Sequence, residues 1–287
     1  MEIIINGLSL GSVYALIALG YTMVYGIAKM LNCAQGDIIM VGAYTVYPTL
    51  ALSGLALPAA VCAVIVCILL GIATEKVAYR PLRGASPLAV LITAIGVSYF
   101  LQSIAQLVYD AKSRPISLNT YGSVALFGTK VTVSSLLTLG CSVVIMIALT
   151  LFINKARVGR AMLAVSEDRG AAQLMGINSN FIITLTFAIG SALAAVASVF
   201  YLMQIPSVTP TLGSMPGIKA FTAAVIGGIG SIPGAMLGGL FLGIVEQICQ
   251  SIAPISPYTT AIEFALLIVI LLLKPTGLLG KMRREKV

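Results

Sequence analysis

Residues 3–28 read IIINGLSLGSVYALIALGYTMVYGIA, 26 positions without one acidic or basic side chain. As a helix this run would be about 39 Å long, more than the roughly 30 Å of hydrocarbon in a bilayer. A membrane-spanning helix is the expected structure. The whole chain has the same character: 59% of its residues are hydrophobic, 9% are charged and the mean hydropathy is +1.06. A soluble domain carries about 25% charged residues. Divided into spans of about 20 residues, the chain has room for about eight to ten crossings and for no separate soluble domain.

Further charge-free intervals cover residues 38–74, 84–109 and 131–154. The first of these is long enough for two spans, with Ser53, Gly54 and Pro58 marking a turn between them. Later spans fit 181–203, 219–229, 234–252 and 259–273, which makes nine crossings. The expected fold is therefore an all-α integral membrane protein, one polytopic helical bundle over residues 1–287, with broken or half helices among its segments.

Lys and Arg exceed Asp and Glu by 17 to 9, and they cluster between apolar runs. Lys76, Arg80 and Arg83, then Lys155, Arg157, Arg160 and Arg169, then Lys281, Arg283, Arg284 and Lys286, should all face the cytoplasm. Alternation then puts residues 110–130 and the N-terminus outside, and the C-terminus inside. No basic soluble face exists to hold nucleic acid. The N-terminus lacks a basic region and a cleavage site, so the first apolar run is expected to stay in the mature protein. Cys33, Cys62, Cys67, Cys141 and Cys249 show neither metal nor disulfide spacing, and most read as small packing residues.

Two segments break the helical pattern. One is the polar insertion Asn32, Cys33, Ala34, Gln35, Gly36, Asp37, and the other is GGIGSIPG at 227–234. Unpaired backbone in hydrocarbon costs several kcal/mol, so such breaks survive only where protein or a water-filled cavity covers them. Paired breaks in a transporter point to its pathway. Asn32, Gln35, Gly36, Asp37, Gly227, Gly228 and Gly230 are accordingly the candidate pathway residues; the competing reading is of ordinary glycine turns. Glycines four apart, Gly7 with Gly11, Gly230 with Gly234 and Gly238, and Gly239 with Gly243, allow close helix packing, within the chain or between subunits. Glu246 and Glu263 fit either a buried pair or water-lined site, or helix ends at the interface.

Between two spans lies the most polar helix-compatible stretch, VGRAMLAVSEDRGAAQLMGIN at 158–178. Gly170 suggests a break within it and Gly176 a stop. A short helix outside the membrane is a shape that a partner protein can grip. With its flank, residues 155–178 form the candidate cytoplasmic coupling segment.

The run GAAQLMG at 170–176 resembles the cytoplasmic-loop signature of ABC importer permeases, with Gly170 where an acid is usual. Nearly the whole chain resembles the Liv-type permeases for branched-chain amino acids. The likeness is carried by GSVYALIALGYTMVYG at 11–26, NCAQGD at 32–37, GRAM at 159–162, AFTAAVIGGIGSIPGA at 220–235 and Lys274-Pro275. Several members have aromatic and His residues where Cys33 and Gln35 stand. The resemblance implies an extracytoplasmic solute-binding protein, a second homologous permease subunit, two cytoplasmic ABC ATPases that use ATP and Mg, and a place in the bacterial cytoplasmic (inner) membrane. ATPase closure can move the pathway only through a contact that differs between its states, and residues 158–176 could serve as that lever. That makes Glu167, Asp168, Arg169, Ala172 and Gly176 the expected ATPase contact. The chain has no G-x-x-x-x-G-K-[ST] loop, so no cofactor, catalytic residue or metal is expected in it and ATP is left to a partner. The alternatives are a permease for urea or another small polar solute, an ion-driven secondary transporter, and a structural scaffold.

Overall fold

In the computed structural model, which describes residues 2–116, 122–126 and 129–280, the opening run is one helix, α1 (Glu2–Ala28), buried along most of its length. A helix that is apolar all round has no solvated face and belongs inside a bundle. α1 packs most extensively on α10 (Ile232–Ser251), and next on α8 (Ser179–Gln204). Gln204 Nε2 also donates to Ser9 Oγ at 3.1 Å, tying α8 to α1.

The α1–α10 seam is made by glycine. A Cβ on Gly11 would lie 2.8 Å from both Cα and O of Leu240, and one on Gly243 or Gly239 would run into the backbone of Gly11 or Ala15. In lipid, where helices gain nothing by leaving water, such close dispersion contact is what holds them together. The glycine spacing at 7, 11, 239 and 243 thus serves packing within the chain.

The remaining helices wrap this centre. α2 (Gln35–Ser53) turns into α3 (Ala56–Thr74) at Gly54, which takes φ +65° and returns its N–H to Leu50 O at 2.8 Å. α3 continues through a π turn (Glu75–Tyr79) and a 3-10 turn (Arg80–Leu82). Ser86 caps α4 (Pro87–Tyr109) by accepting from Ala89 N–H. Next come α5 (Val133–Lys155), α6 (Arg157–Glu167), α7 (Arg169–Leu174), α8, α9 (Ser214–Gly227), α10 and α11 (Thr259–Leu273). Two short antiparallel pairs complete the described secondary structure: β1 (Arg114–Pro115) with β4 (Ser207–Val208), and β2 (Ser123–Leu126) with β3 (Thr129–Thr132). α3, α4, α5 and α11 leave Leu69, Leu107, Val144 and Leu272 exposed, the apolar surface that a bundle presents to lipid.

Seven helices among the described residues are long and apolar enough to cross a membrane: α1, α3 with its continuation, α4, α5, α8, α10 and α11 with the short turn before it. The protein is a multi-pass membrane protein of all-α class. The other two of the nine expected crossings are the interrupted ones. α2 is polar at its start, and α9 has 14 residues, a length of about 21 Å that falls short of the hydrocarbon. α9 also begins at Ser214, before the charged boundary that the sequence suggested at Lys219.

Arg83, Arg169, Ala28 and Asn180 meet at one end of the bundle, where α1 ends and α8 begins. The first two basic clusters share that end; the third, residues 281–287, lies outside the described residues. All five cysteines are free, and only Cys67 and Cys249 are buried. Packing therefore accounts for two of the five; Cys33, Cys62 and Cys141 are exposed.

Candidate functional site

The chain leaves α1 through Lys29, at φ 55°, and turns back into the bundle before α2 starts. This re-entry is stabilised by side chains. Asn32, Gln35 and Asp37 are 2%, 1% and 2% exposed, and each is hydrogen-bonded. Asn32 Nδ2 donates to Gln35 Oε1 at 3.1 Å, Tyr79 OH donates to Asn32 Oδ1 at 2.8 Å, and Gln35 Nε2 donates to the carbonyl of Gly190 in α8 at 2.8 Å. Buried polar groups need such partners, since an unmade hydrogen bond costs about 1–3 kcal/mol.

Asp37 looks the other way, toward α4 and α9. Gln102 Nε2 donates to Asp37 Oδ1 at 2.8 Å and lies 3.3 Å from Ser214 Oγ, the first residue of α9. Gly36 brings the starts of α2 and α9 into backbone contact, for a Cβ there would sit 2.5 Å from Gly213 O. A cavity of about 550 Å³ opens beside this junction, with Tyr21, Cys33, Asp37, Tyr99, Gln102 and Phe221 in its wall.

Gly227, Gly228 and Gly230 lie at the opposite end of α9. Gly228 and Gly230 have φ +105° and +93°, which L side chains rarely adopt. Leu278 N–H and Leu279 N–H donate to the carbonyls of Ile226 and Gly227 at 2.8 and 3.0 Å, occupying acceptors that the end of α9 leaves open. The two sequence breaks come together at Asn32 and Ile229, which share a small crevice with Tyr21 and Phe221. Gly36 and Gly230 do not face each other; the partner of Gly36 is Gly213 with Gly217. That third interruption, residues 205–213, was missed, although Pro206, Pro210, Gly213 and Pro216 signalled it.

The polar segment at 155–178 is two helices whose break falls at Asp168, two residues before Gly170. Asp168 Oδ1 accepts from Gly170 N–H at 2.7 Å and Ala171 N–H at 3.0 Å, so the acid caps α7 and Gly170 lies inside it. Gly176, at φ +81°, ends the segment. Of the residues assigned to a partner contact, Glu167, Asp168 and Gly176 are exposed. Ala172 is buried against this chain's own core, so it offers no face to a partner. Arg169 is half-buried and donates to Ala28 O; burial and the nearby Arg83 lower its pKa from the usual arginine value. The most exposed apolar tip is Leu174 and Met175, 90% and 83% accessible. In the sequence they belong to the 158–178 helix, but the partner contact is assigned there to its charged and small residues instead.

Glu246 and Glu263 are buried, and both pair with Lys219 of α9. The buried reading of these acids holds, and the lysine that completes the group stands where the sequence suggests a span boundary. Among the described residues no group of three or more His, Cys, Asp and Glu is arranged to hold a metal ion.

Residues 3–271 match the family described as "Branched-chain amino acid transport system / permease component". The chain is 46% identical over 301 aligned residues to the high-affinity branched-chain amino acid transport system permease protein BraD of Pseudomonas aeruginosa, covering 100% of this chain and 98% of that one. It is 44% identical to the permease protein LivH of the corresponding system in Escherichia coli K12, over 98% of this chain and 96% of LivH. Among solved structures, a chain of PsaBC from Streptococcus pneumoniae in complex with Fab superposes with a TM-score of 0.52 at 14% identity, over 96% of this chain and 93% of that chain. That last likeness concerns the fold alone.

Proposed function

The chain belongs to the branched-chain amino acid transport permease family, and on that premise we propose that it forms half of the solute pathway of an ATP-driven importer in the bacterial inner membrane. It is a transport subunit, a permease component for branched-chain amino acids. Both full-length relatives are named for that cargo, which supports it over urea or an ion-driven mode. The other half of the pathway is a second, homologous permease; two cytoplasmic ATPases supply the energy and an extracytoplasmic binding protein delivers the amino acid.

The observation that carries the pathway reading is the junction of two interrupted helices inside the bundle. Asp37, Gln102 and Ser214 meet there, beside a cavity of about 550 Å³. Helix ends at membrane depth cost backbone hydrogen bonds, and function is the usual reason they persist. A lever is needed as well, because nucleotide closure shifts a gate only if the partner contacts its two states differently. α6 and α7 supply it, with Glu167, Leu174 and Met175 as the docking face and Arg169 linking it to the end of α1.

Reconstitution of the chain in proteoliposomes with the second permease, both ATPases and the binding protein tests the proposal. Leucine uptake should require ATP and the binding protein and should survive collapse of ion gradients. Uptake driven by an ion gradient without ATP would contradict it.

A further inference from the structure

Away from the α2–α9 junction, three charged side chains meet in the interior. Lys219 Nζ on α9 donates to Glu246 Oε1 on α10 at 2.6 Å and to Glu263 Oε1 on α11 at 3.3 Å. The three side chains are 9%, 6% and 1% exposed. Gln250 Nε2 adds a second donor to Glu246 Oε1 at 3.0 Å. The second oxygen of each carboxylate, Oε2, is buried and has no donor.

The charges do not balance. α1 contributes Tyr14, whose ring centroid is 6.0 Å from Lys219 Nζ, and α8 contributes Tyr201, which lies with Lys219 and Glu246 on one cavity wall. Both are phenols, neutral at ordinary pH. α9 contributes Lys219, α10 contributes Glu246 with the neutral Gln247 and Gln250, and α11 contributes Glu263. Fully ionised, the group holds two carboxylates against one ammonium. Carboxylates that share one donor atom are close neighbours, and in a low-dielectric interior two such charges do not both persist. A metal cation is a poor remedy because the ammonium already sits on Glu246 at 2.6 Å. A proton fits the unpartnered Oε2 atoms, since it converts one acceptor into a donor.

We propose that Lys219, Glu246 and Glu263 form a proton-binding site, in which the two glutamates share one proton and the neutral triad holds half-helix α9 against α10 and α11. The proton reaches it through a cavity of about 430 Å³ that Lys219 and Glu246 help to line, together with the polar Asn6, Ser135 and Gln204. These polar walls suit water. The folded state then binds one more proton than the unfolded chain over the pH range in which free glutamate is ionised. Stability contributed by the shared proton is therefore complete below the pH at which free glutamate ionises and is lost as pH rises. The inference does not depend on the cargo or on ATP.

The test uses the assembled transporter in detergent. Its melting temperature should fall as the pH is raised from mildly acidic to alkaline, and infrared difference spectra should show a protonated carboxyl that disappears over the same range. Glu263→Gln and Glu246→Gln each leave one Lys–Glu pair and no excess charge, so each variant should lose that carboxyl band and melt at a temperature that no longer follows pH in this range. Using both variants guards against a local packing failure in one. The proposal is overturned if both keep the band and the pH slope of the parent. It is equally overturned if the parent is stabilised by sodium in place of choline at fixed pH, and not by protons.

Discussion

α1 and α10 meet on glycines, and so do α2 and α9, yet the two contacts have opposite characters. Along α1–α10 the helices are continuous, their backbone hydrogen bonds are internal, and Gly11, Gly239 and Gly243 only bring two finished cylinders together. At α2–α9 the contact joins two helix starts, and Gly36 touches Gly213 where backbone groups and polar side chains must satisfy one another. A seam of the first kind can only hold; a junction of the second kind can rearrange, because its hydrogen bonds have alternative partners. The same residue type therefore marks the frame in one place and the pathway in the other.

The largest effect should come from the seam. Gly243→Leu drives a side chain into the backbone of Gly11, where neither helix can give, and overpacking of this sort costs about 1–3 kcal/mol or more. Loss of the assembled complex on size-exclusion chromatography is expected; normal assembly would remove the distinction. Next is Gly36→Leu, which should lower uptake at least tenfold while the complex still assembles. Gly230→Leu should do less, because its side chain would meet open space and only the positive φ is strained, at about 1–2 kcal/mol. Equal loss from both would return the glycine turn at 227–230 to the same standing as the junction.

Farther from both regions, Leu174→Ser with Met175→Ser should weaken ATPase docking by about 1–3 kcal/mol, with substrate-stimulated hydrolysis falling alongside uptake. Glu167→Lys is the cleaner charge test, because Asp168→Lys also removes the cap of α7, worth about 1 kcal/mol. Unchanged stimulated hydrolysis would shift the coupling role to residues 75–87. The smallest effect is expected from Gln35→Ala. It removes two buried hydrogen bonds, the one donated to Gly190 and the one accepted from Asn32, a loss of about 1–3 kcal/mol that a lower melting temperature should report.

Much of this frame is legible in the sequence. Charge-free length locates α1, α4, α5 and α8, Gly54 locates the α2–α3 turn, and Gly176 the end of α7. What fails is the rule that a charge marks the membrane surface. Lys219 is inside because Glu246 and Glu263, distant in sequence, meet it there, and no local pattern announces a pairing across three helices. The same gap hid the partner of the first break. Pro206, Pro210 and Gly213 lie in a run without charge, so it read as connection, whereas it re-enters the bundle to start α9. Burial misled at Ala172, where a small residue on a polar segment packs inward and Leu174 and Met175 point out.

Two cysteine pairs, introduced separately after the native cysteines are replaced, test the contrast most directly. Gln102→Cys with Ser214→Cys spans the α4–α9 side of the junction, and Ser9→Cys with Gln204→Cys spans the α1–α8 core. Bridging the first pair with a short thiol reagent should arrest ATP-driven leucine uptake until the bridge is reduced, and bridging the second should leave uptake intact. Arrest by the core bridge, with free transport through a locked junction, would contradict the account.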